Sequence, residues 1–301
     1  MKISVVIPTK NRHKDLQIAL NSIFNQSLKP DEIILVDQSE ERLDDITINY
    51  YKQLLGENEK IKYLYNPSIK GLVHAKSVGF GIATGDIICF LEDDIVLQGD
   101  YFKELIDGFK ECEKMVGCGG VVTNPPLTNL YYLFFHNLFH RGIFKDKRPS
   151  IFANYAKSNR SLIPSNTISG GLSAWKREVF EKIKFDVLNG FHMVEDIEYS
   201  TRVADLYPNQ LFINSKVRLA HNFSPAGRDA EKQKQRRKAI EFIMFYKKRS
   251  NKNFAILNLC WLFFGLFVSS IVISLKYRNF DAIQGLSGGI IVGITKKLII
   301  S

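Results

Sequence analysis

Cysteine is scarce in this chain of 301 residues, with only Cys89, Cys112, Cys118 and Cys260. No two of them form a CxxC pair, and no histidine stands at zinc spacing from any of them. This argues against a disulfide scaffold and a structural zinc site, and for inert thiols in a reducing compartment. A signal peptide is also lacking at the start. The apolar run in MKISVVIPTKNR is only a few residues long before it turns charged, so the N-terminal part is expected in the cytosol. No internal repeat or low-complexity linker interrupts the chain. Acidic residues are outnumbered, 31 Asp and Glu against 41 Lys and Arg, for a formal charge of +10. Such an excess points to an anionic partner: a nucleotide, a phospholipid surface or nucleic acid. A hydrophobic fraction of 45% is ordinary for a folded protein. The length suits one large domain or two small ones.

Short apolar runs alternate with helical periodicity over the first third. Ile3 to Ile7 reads as a strand stopped by Pro8. Lys14 to Asn25 has apolar residues at helical spacing, Leu16, Ala19, Leu20, Ile23 and Phe24. Further strands are expected at 32–36, 61–65 and 87–91, and further helices at 47–55, 72–83 and 100–109. The pattern predicts right-handed βαβ units and a mostly parallel α/β sheet flanked by helices. Ligands of such sheets lie beyond the carboxyl ends of the strands. Pro8 to Arg12, Asp37 to Ser39 and Glu92 to Asp94 fall at those ends. From 118 to 223 the pattern is mixed. It holds a strand at 117–122, a very aromatic stretch at 130–144, a Gly-Gly turn within 165–175 and a helix at 194–206 opened by Glu195-Asp196.

Glu92, Asp93 and Asp94 follow the buried run Ile87 to Leu91. Three adjacent carboxylates repel one another, and a cation offsets that repulsion. Hard oxygen ligands suit Mg²⁺ or Mn²⁺, and an ion so held could neutralise a diphosphate. The plain alternative is a solvated acidic turn.

After Pro225 the chain changes character. Residues 226–253 form a basic segment interleaved with Ile240, Phe242, Ile243, Met244, Phe245 and Tyr246. Phe254 to Leu275 then carries no charge, long enough to cross a hydrocarbon core, which takes roughly 20 residues. Lys247, Lys248, Arg249 and Lys252 precede it as a positive-inside flank. A buried core helix is the other reading. Residues 282–295 are a second, shorter apolar stretch, read as re-entrant, interfacial or a second span. Residues 254–301 are thus expected to anchor the chain to an anionic membrane surface, rather than the basic run to bind nucleic acid.

Four pieces, VVIPTKNR, VDQS, FLEDD and GFHMVEDIEYSTRV, together resemble the family 2 glycosyltransferases, over roughly residues 1–225. The resemblance implies a GT-A fold, a nucleoside diphosphate sugar donor and Mn²⁺ or Mg²⁺. It places Pro8, Thr9, Asn11 and Arg12 in the first donor loop and Asp37 on the base, with uracil the first expectation. It puts Gly71, Lys76 and Asp93 on the donor nucleotide, Lys76 as a point charge at the diphosphate. It makes Asp94 the direct metal ligand and Glu92 a sugar or water-mediated contact, with Glu standing where the family motif has Asp. His221 falls where some members bring a further metal ligand. Ser169, Gly170 and Gly171 resemble the loop beside donor and acceptor sugars. Glu195-Asp196 matches the pair that supplies the catalytic base, Asp196 as base and Glu195 as supporting contact. A carboxylate there removes the acceptor proton as the hydroxyl attacks. One base and one metal suffice for a single displacement with inversion. The resemblance implies an acceptor that is a glycan or a lipid-linked saccharide, and the anchor implies a catalytic domain on the cytosolic side of the cell membrane. Two alternatives stay open: a polyprenyl-phosphate sugar synthase, and a membrane-anchored sugar-nucleotide-binding protein without turnover.

Overall fold

A computed structural model describes residues 1–54, 60–125, 130–224, 229–249 and 254–299. Its first part alternates as expected: β1 (Ile3–Thr9), α1 (His13–Phe24), β2 (Glu32–Asp37), α2 (Asp45–Leu54), β3 (Ile61–Tyr65), α3 (Leu72–Ile82) and β4 (Ile87–Leu91). The strands pair in parallel as β3-β2-β1-β4. Side chains alternate across this sheet. Val5, Ile7, Ile33 and Leu35 pack with Leu16, Leu20 and Ile23 of α1. Val6, Ile34, Val36 and Phe90 face a second core that includes Ala75 of α3.

Pro8 does not stop β1. It pairs with Val36 of β2, while β4 runs beside β1 only as far as Val6. The missing N–H of Pro8 therefore costs no bond in the ladder to β4. The helix expected to reach Leu55 is described to Leu54; Leu55 lies outside the described residues, as do Pro225, Arg228 and Lys252.

The second part holds β5 (Ile95–Leu97), α4 (Tyr101–Glu111), β6 (Gly117–Val122), α5 (Leu130–Phe139), a 3₁₀ turn at Gly142–Phe144, α6 (Arg148–Asn154), β7 (Leu162–Pro164), β8 (Leu172–Lys176), α7 (Arg177–Lys182), α8 (Glu195–Leu206) and β9 (Leu211–His221). They extend the sheet to the order β3-β2-β1-β4-β8-β6-β9-β5, with β7 also on β9. β8 runs antiparallel to β4, and β5 antiparallel to β9 with Ile95 opposite His221. The chain leaving the acidic triad is thereby returned to the end of β9.

Three further helices follow: α9 (Glu231–Lys248), α10 (Ala255–Tyr277) and α11 (Asp281–Thr295). α9 turns Lys232, Lys234 and Arg236 outward and buries Phe242, Met244 and Phe245. Those residues share one core with Phe144, Phe191, Val194 and Ile197 of the preceding part and with Leu262, Leu266 and Leu286 of α10 and α11. The C-terminal helices are therefore joined to the sheet domain by packing rather than trailing from it. α11 lies close along α9. A Cβ on Gly285 or Gly289 would overlap the main chain of Lys232 or Arg236, and one on Gly293 would come within 2.8 Å of Ile243. Among the described helices, α10 is long and apolar enough to cross a membrane by length and composition.

Candidate active site

The strand ends gather the expected residues. Thr9 and Asp37 close β1 and β2 in register, and Glu92 follows β4 directly. Pro8 is a buried strand residue, and the loop proper begins beyond Thr9. Asn11 adopts a positive φ of 56°. There its N–H reaches Ser39 Oγ at 2.7 Å, and its side-chain oxygen accepts the Glu40 N–H. The loops after β1 and β2 are thus tied together.

Asp37 is buried. Its Oδ1 accepts the Ser39 N–H at 2.8 Å, and its Oδ2 accepts the Tyr63 hydroxyl at 2.6 Å. Burial and the bond to Asp37 raise the Tyr63 phenol well above its ordinary value. Each carboxylate oxygen offers two acceptor sites, so an imide N–H can still be received.

Asp93 points back to β1. It accepts the Thr9 hydroxyl at 2.7 Å and Arg12 Nη1 at 3.1 Å. Burial pushes its carboxyl up to about 6, against the pull of Thr9 and Arg12. Asp94 turns the other way. His221 Nε2 lies 2.9 Å from Asp94 Oδ1 and 2.9 Å from Glu92 Oε2, and the Ser224 N–H reaches Asp94 Oδ2 at 2.9 Å. Burial works upward on Asp94, but His221, the Ser224 N–H and Arg12 outweigh it and hold the carboxyl below its ordinary value. Burial opposes charge on His221, yet the two carboxylates push it up to about 9.

Glu92, Asp94 and His221 offer ligand atoms all within 4.8 Å of one another. Two hard oxygens and one imidazole nitrogen form a donor set that fits a divalent cation such as Mn²⁺. A protonated imidazole between the carboxylates supplies the positive charge that an ion would bring, and binding would displace that proton. Glu92, read from the sequence as an indirect contact, sits in this cluster as a third potential ligand.

Gly170 and Gly171 bring the acidic loops together. The Gly171 carbonyl accepts the Glu92 N–H at 3.0 Å. A Cβ on Gly171 would overlap the Glu92 side chain, and one on Gly170 would overlap Glu195 Oε1 and lie 2.7 Å from Lys76 Nζ. Only glycine permits this approach. Gly71 plays a different part: it opens α3 with φ +85°.

Lys76, expected at a diphosphate, is buried and donates to Glu195 Oε1 at 2.5 Å. Burial raises the Glu195 carboxyl, with Lys76 pulling the other way. The pair is a buried salt bridge at the start of α8. Asp196 is partly exposed and ion-pairs with Arg148. Arg148 also grips Asp146 through Nε and Nη2, at 3.0 and 2.7 Å, and reaches Ser169 Oγ at 3.3 Å. Its guanidinium, opposed by burial, is raised well above its ordinary value by Asp196 and Asp146. A cleft of about 340 Å³ adjoins this group and shares Asp146, with Asn137, Ser150, Asn154 and Tyr155 among its walls.

Arg148, Asp146 and Glu241 were not legible as site residues. Arg148 sits in KDKRPS, a stretch with no marking pattern. Glu241 of α9 accepts the N–H groups of His192, Met193 and Val194 through one oxygen, at 3.0, 2.7 and 2.8 Å. It braces the loop that leads into Glu195-Asp196.

Residues 4–184 match the model of the family described as Glycosyl transferase family 2. The chain is 25% identical over 186 residues to a glucosyl-dolichyl phosphate glucuronosyltransferase of Haloferax volcanii, covering 61% of this chain and 55% of that protein. It therefore spans about half the length of that curated relative. Two solved structures share the fold. One is a mannosyltransferase from Pyrobaculum calidifontis in complex with GDP-Man and Mn²⁺, with TM-score 0.61 and 14% identity over 98% of this chain and 87% of that one. The other is TarS 1–349 of S. aureus in complex with UDP-GlcNAc, with TM-score 0.62 and 14% identity over 98% and 82%. The matched segment runs from β1 through the loops at the strand ends, the acidic triad and the Gly-Gly turn to just beyond α7, more than half of the chain, so the protein belongs to glycosyl transferase family 2.

Proposed function

We propose that the protein transfers a sugar from a nucleoside diphosphate sugar, a uridine diphosphate sugar first, to a hydroxyl of a glycan or lipid-linked saccharide, with inversion. The observation that carries this is the disposition of two groups about one glycine turn. Glu92, clustered with Asp94 and His221, lies against Gly171, and Glu195, next in sequence to Asp196, lies against Gly170. A leaving diphosphate belongs with the first group and an attacking hydroxyl with the second. Mn²⁺ or Mg²⁺ held by Glu92, Asp94 and His221 would supply positive charge to the departing diphosphate. Asp196 takes the acceptor proton as the new bond forms. Asp37 receives the base, and Thr9, Asn11 and Arg12 line the donor loop.

The acceptor is placed at the cytosolic face of the cell membrane. The apolar α10 supports this, as does the relative whose name includes a dolichyl phosphate. One observation favours a second reading, a lipid phosphate acceptor. Arg148 brings a guanidinium to Asp196, and guanidinium recognises phosphate well. A phosphate needs no deprotonation.

The test is a donor screen of purified full-length protein with Mn²⁺ or Mg²⁺, scoring nucleoside diphosphate release with saccharide and lipid phosphate acceptors. Hydroxyl transfer that collapses in Asp196→Asn supports the first reading. Transfer to a lipid phosphate that survives the substitution supports the second. Release with no donor refutes both.

A further inference from the structure

The outer surface of α10 is an apolar stripe. Leu257, Trp261, Phe264, Val272 and Leu275 are exposed along it, Phe264 at 53% and Leu275 at 73%. The inner stripe, Ala255, Leu262, Leu266, Ser270 and Ser274, is buried along the helix. α5 packs beside the first half. Phe139 lies against Gly265 and Trp261, and Trp261 Nε1 donates to the Leu138 carbonyl at 2.8 Å. α5 is itself uncovered, with Leu130, Tyr131, Phe134 and Phe135 exposed. Two apolar faces therefore meet along one edge.

The charges around this face are mostly positive, with Asp281 an exposed carboxylate just past its end. Neither 130–144 nor 254–280 contains Asp or Glu, while Arg141, Lys276 and Arg278 are exposed at its ends. A second copy docked on the same face would oppose cation to cation. Anionic headgroups would meet those cations favourably, and the rings of Tyr131 and Trp261 suit the interfacial depth.

The packing also fixes an orientation. α11 follows α10 after a short turn and runs along α9, with Gly285 on Lys232 and Gly289 on Arg236. The second half of α10 is thus flanked, through α11, by the turn of α9 that exposes Lys232, Lys234 and Arg236. Were α10 to cross a bilayer, those cations would be carried to hydrocarbon depth, which is costly. With α10 parallel to the membrane plane, its outer stripe enters the apolar layer and α9 stays in water.

We propose that α5 and α10 form one docking face that lies flat in a single leaflet of an anionic bilayer, α10 in the plane of the membrane rather than across it. This deepens the membrane-face reading given above and rests on it. The core shared by Leu262, Leu266, Val194 and Ile197 then joins the docked helix to the start of α8, which carries Glu195 and Asp196. An acceptor with a lipid tail in that leaflet reaches the site without leaving the membrane.

The experiment uses full-length protein with Cys112→Ser and Cys260→Ser, Cys89 and Cys118 being buried. Spin labels are placed singly at Leu257→Cys, Phe264→Cys and Val272→Cys, none of which belongs to the catalytic machinery. Depth is read from oxygen against nickel-chelate accessibility on vesicles of phosphatidylglycerol and phosphatidylcholine. The expected result is one shared depth at all three positions. Binding should weaken by about tenfold or more when the anionic lipid is left out. A deep maximum at Phe264 with shallow, oppositely exposed ends makes α10 a span and overturns the in-plane proposal while leaving the membrane reading standing. Labels that stay water-exposed on vesicles defeat the membrane reading itself. Labels immobilised without lipid, in a species that elutes as a dimer, make a second copy the occupant and also overturn the proposal.

Discussion

Glu241 of α9 accepts a 2.8 Å hydrogen bond from the N–H of Val194, the residue just before Glu195-Asp196. Its second oxygen is buried with no partner among the described residues. Burial pushes this carboxyl from 4.5 up to about 7, against the bonds from His192, Val194 and Met193. A raised carboxyl binds its proton more tightly in the fold than in the unfolded chain. The stabilisation is full below about pH 4.5 and is lost as pH rises through about 7, a change of roughly 3 kcal/mol. Glu241→Gln stays neutral and escapes it. The melting temperature of the wild type should fall relative to Glu241→Gln across that window, and the gap should be flat outside it. Parallel melting curves over the whole range would remove the assignment.

Arg148 is the common partner of Asp146 and Asp196. Arg148→Met strands the buried Asp146 carboxylate and should destabilise the fold by roughly 3–5 kcal/mol, measured by denaturant unfolding. Adding Asp146→Asn should recover much of that loss. Asp196→Asn keeps the shape and should lower kcat by about 10²-fold or more, with donor affinity little changed. A near-normal kcat would point to a phosphate acceptor.

The glycine turn gives a test that replaces no ionisable group. Gly170→Ala forces Glu195 and Lys76 apart, and Gly171→Ala displaces Glu92. Misplacement on this scale should cost about 10²-fold in turnover. The two should differ in kind: Gly170→Ala should spare donor affinity, and Gly171→Ala should weaken it. Equal effects on both parameters would show a general loss of folding instead.

Chelation tests the proposed metal at Glu92, Asp94 and His221. EDTA should abolish transfer, and added Mn²⁺ should restore it. Asp94→Ala or His221→Ala should weaken Mn²⁺ binding by at least about 100-fold, read from the free-ion paramagnetic signal. Full activity in EDTA, or in Asp94→Ala, would end the metal role.

The parallel half of the sheet was legible because its strands are short, apolar and separated by helical spacing. β9 was not. Asn214, Ser215, Lys216 and Arg218 break its apolar pattern, and it stands as a strand because β6 and β5 flank it. The loops at the ends of β1, β2 and β4 could be read because each follows a readable strand. The ion pairs could not, since Arg148 meets Asp196 only through tertiary approach. Lys76 is intermediate. It lies three residues from both Val73 and Gly79, which α3 buries, so helical spacing alone places it on the inward stripe.

The position of β9 bears on how the protein is made. β5 has β9 as its strand partner, and β9 also closes against β6. As the chain leaves the ribosome, β5 emerges early and must wait for more than a hundred further residues before that partner exists. The parallel strands can assemble meanwhile, but such long-range pairing is slow to form. His221, the last residue of β9, arrives at the end of this delay. Until then Glu92 and Asp94 lack their imidazole, so a nascent chain stopped inside the matched segment would carry the acidic motif without the histidine that completes its cluster, and its open strand edges would be the natural clients of a chaperone.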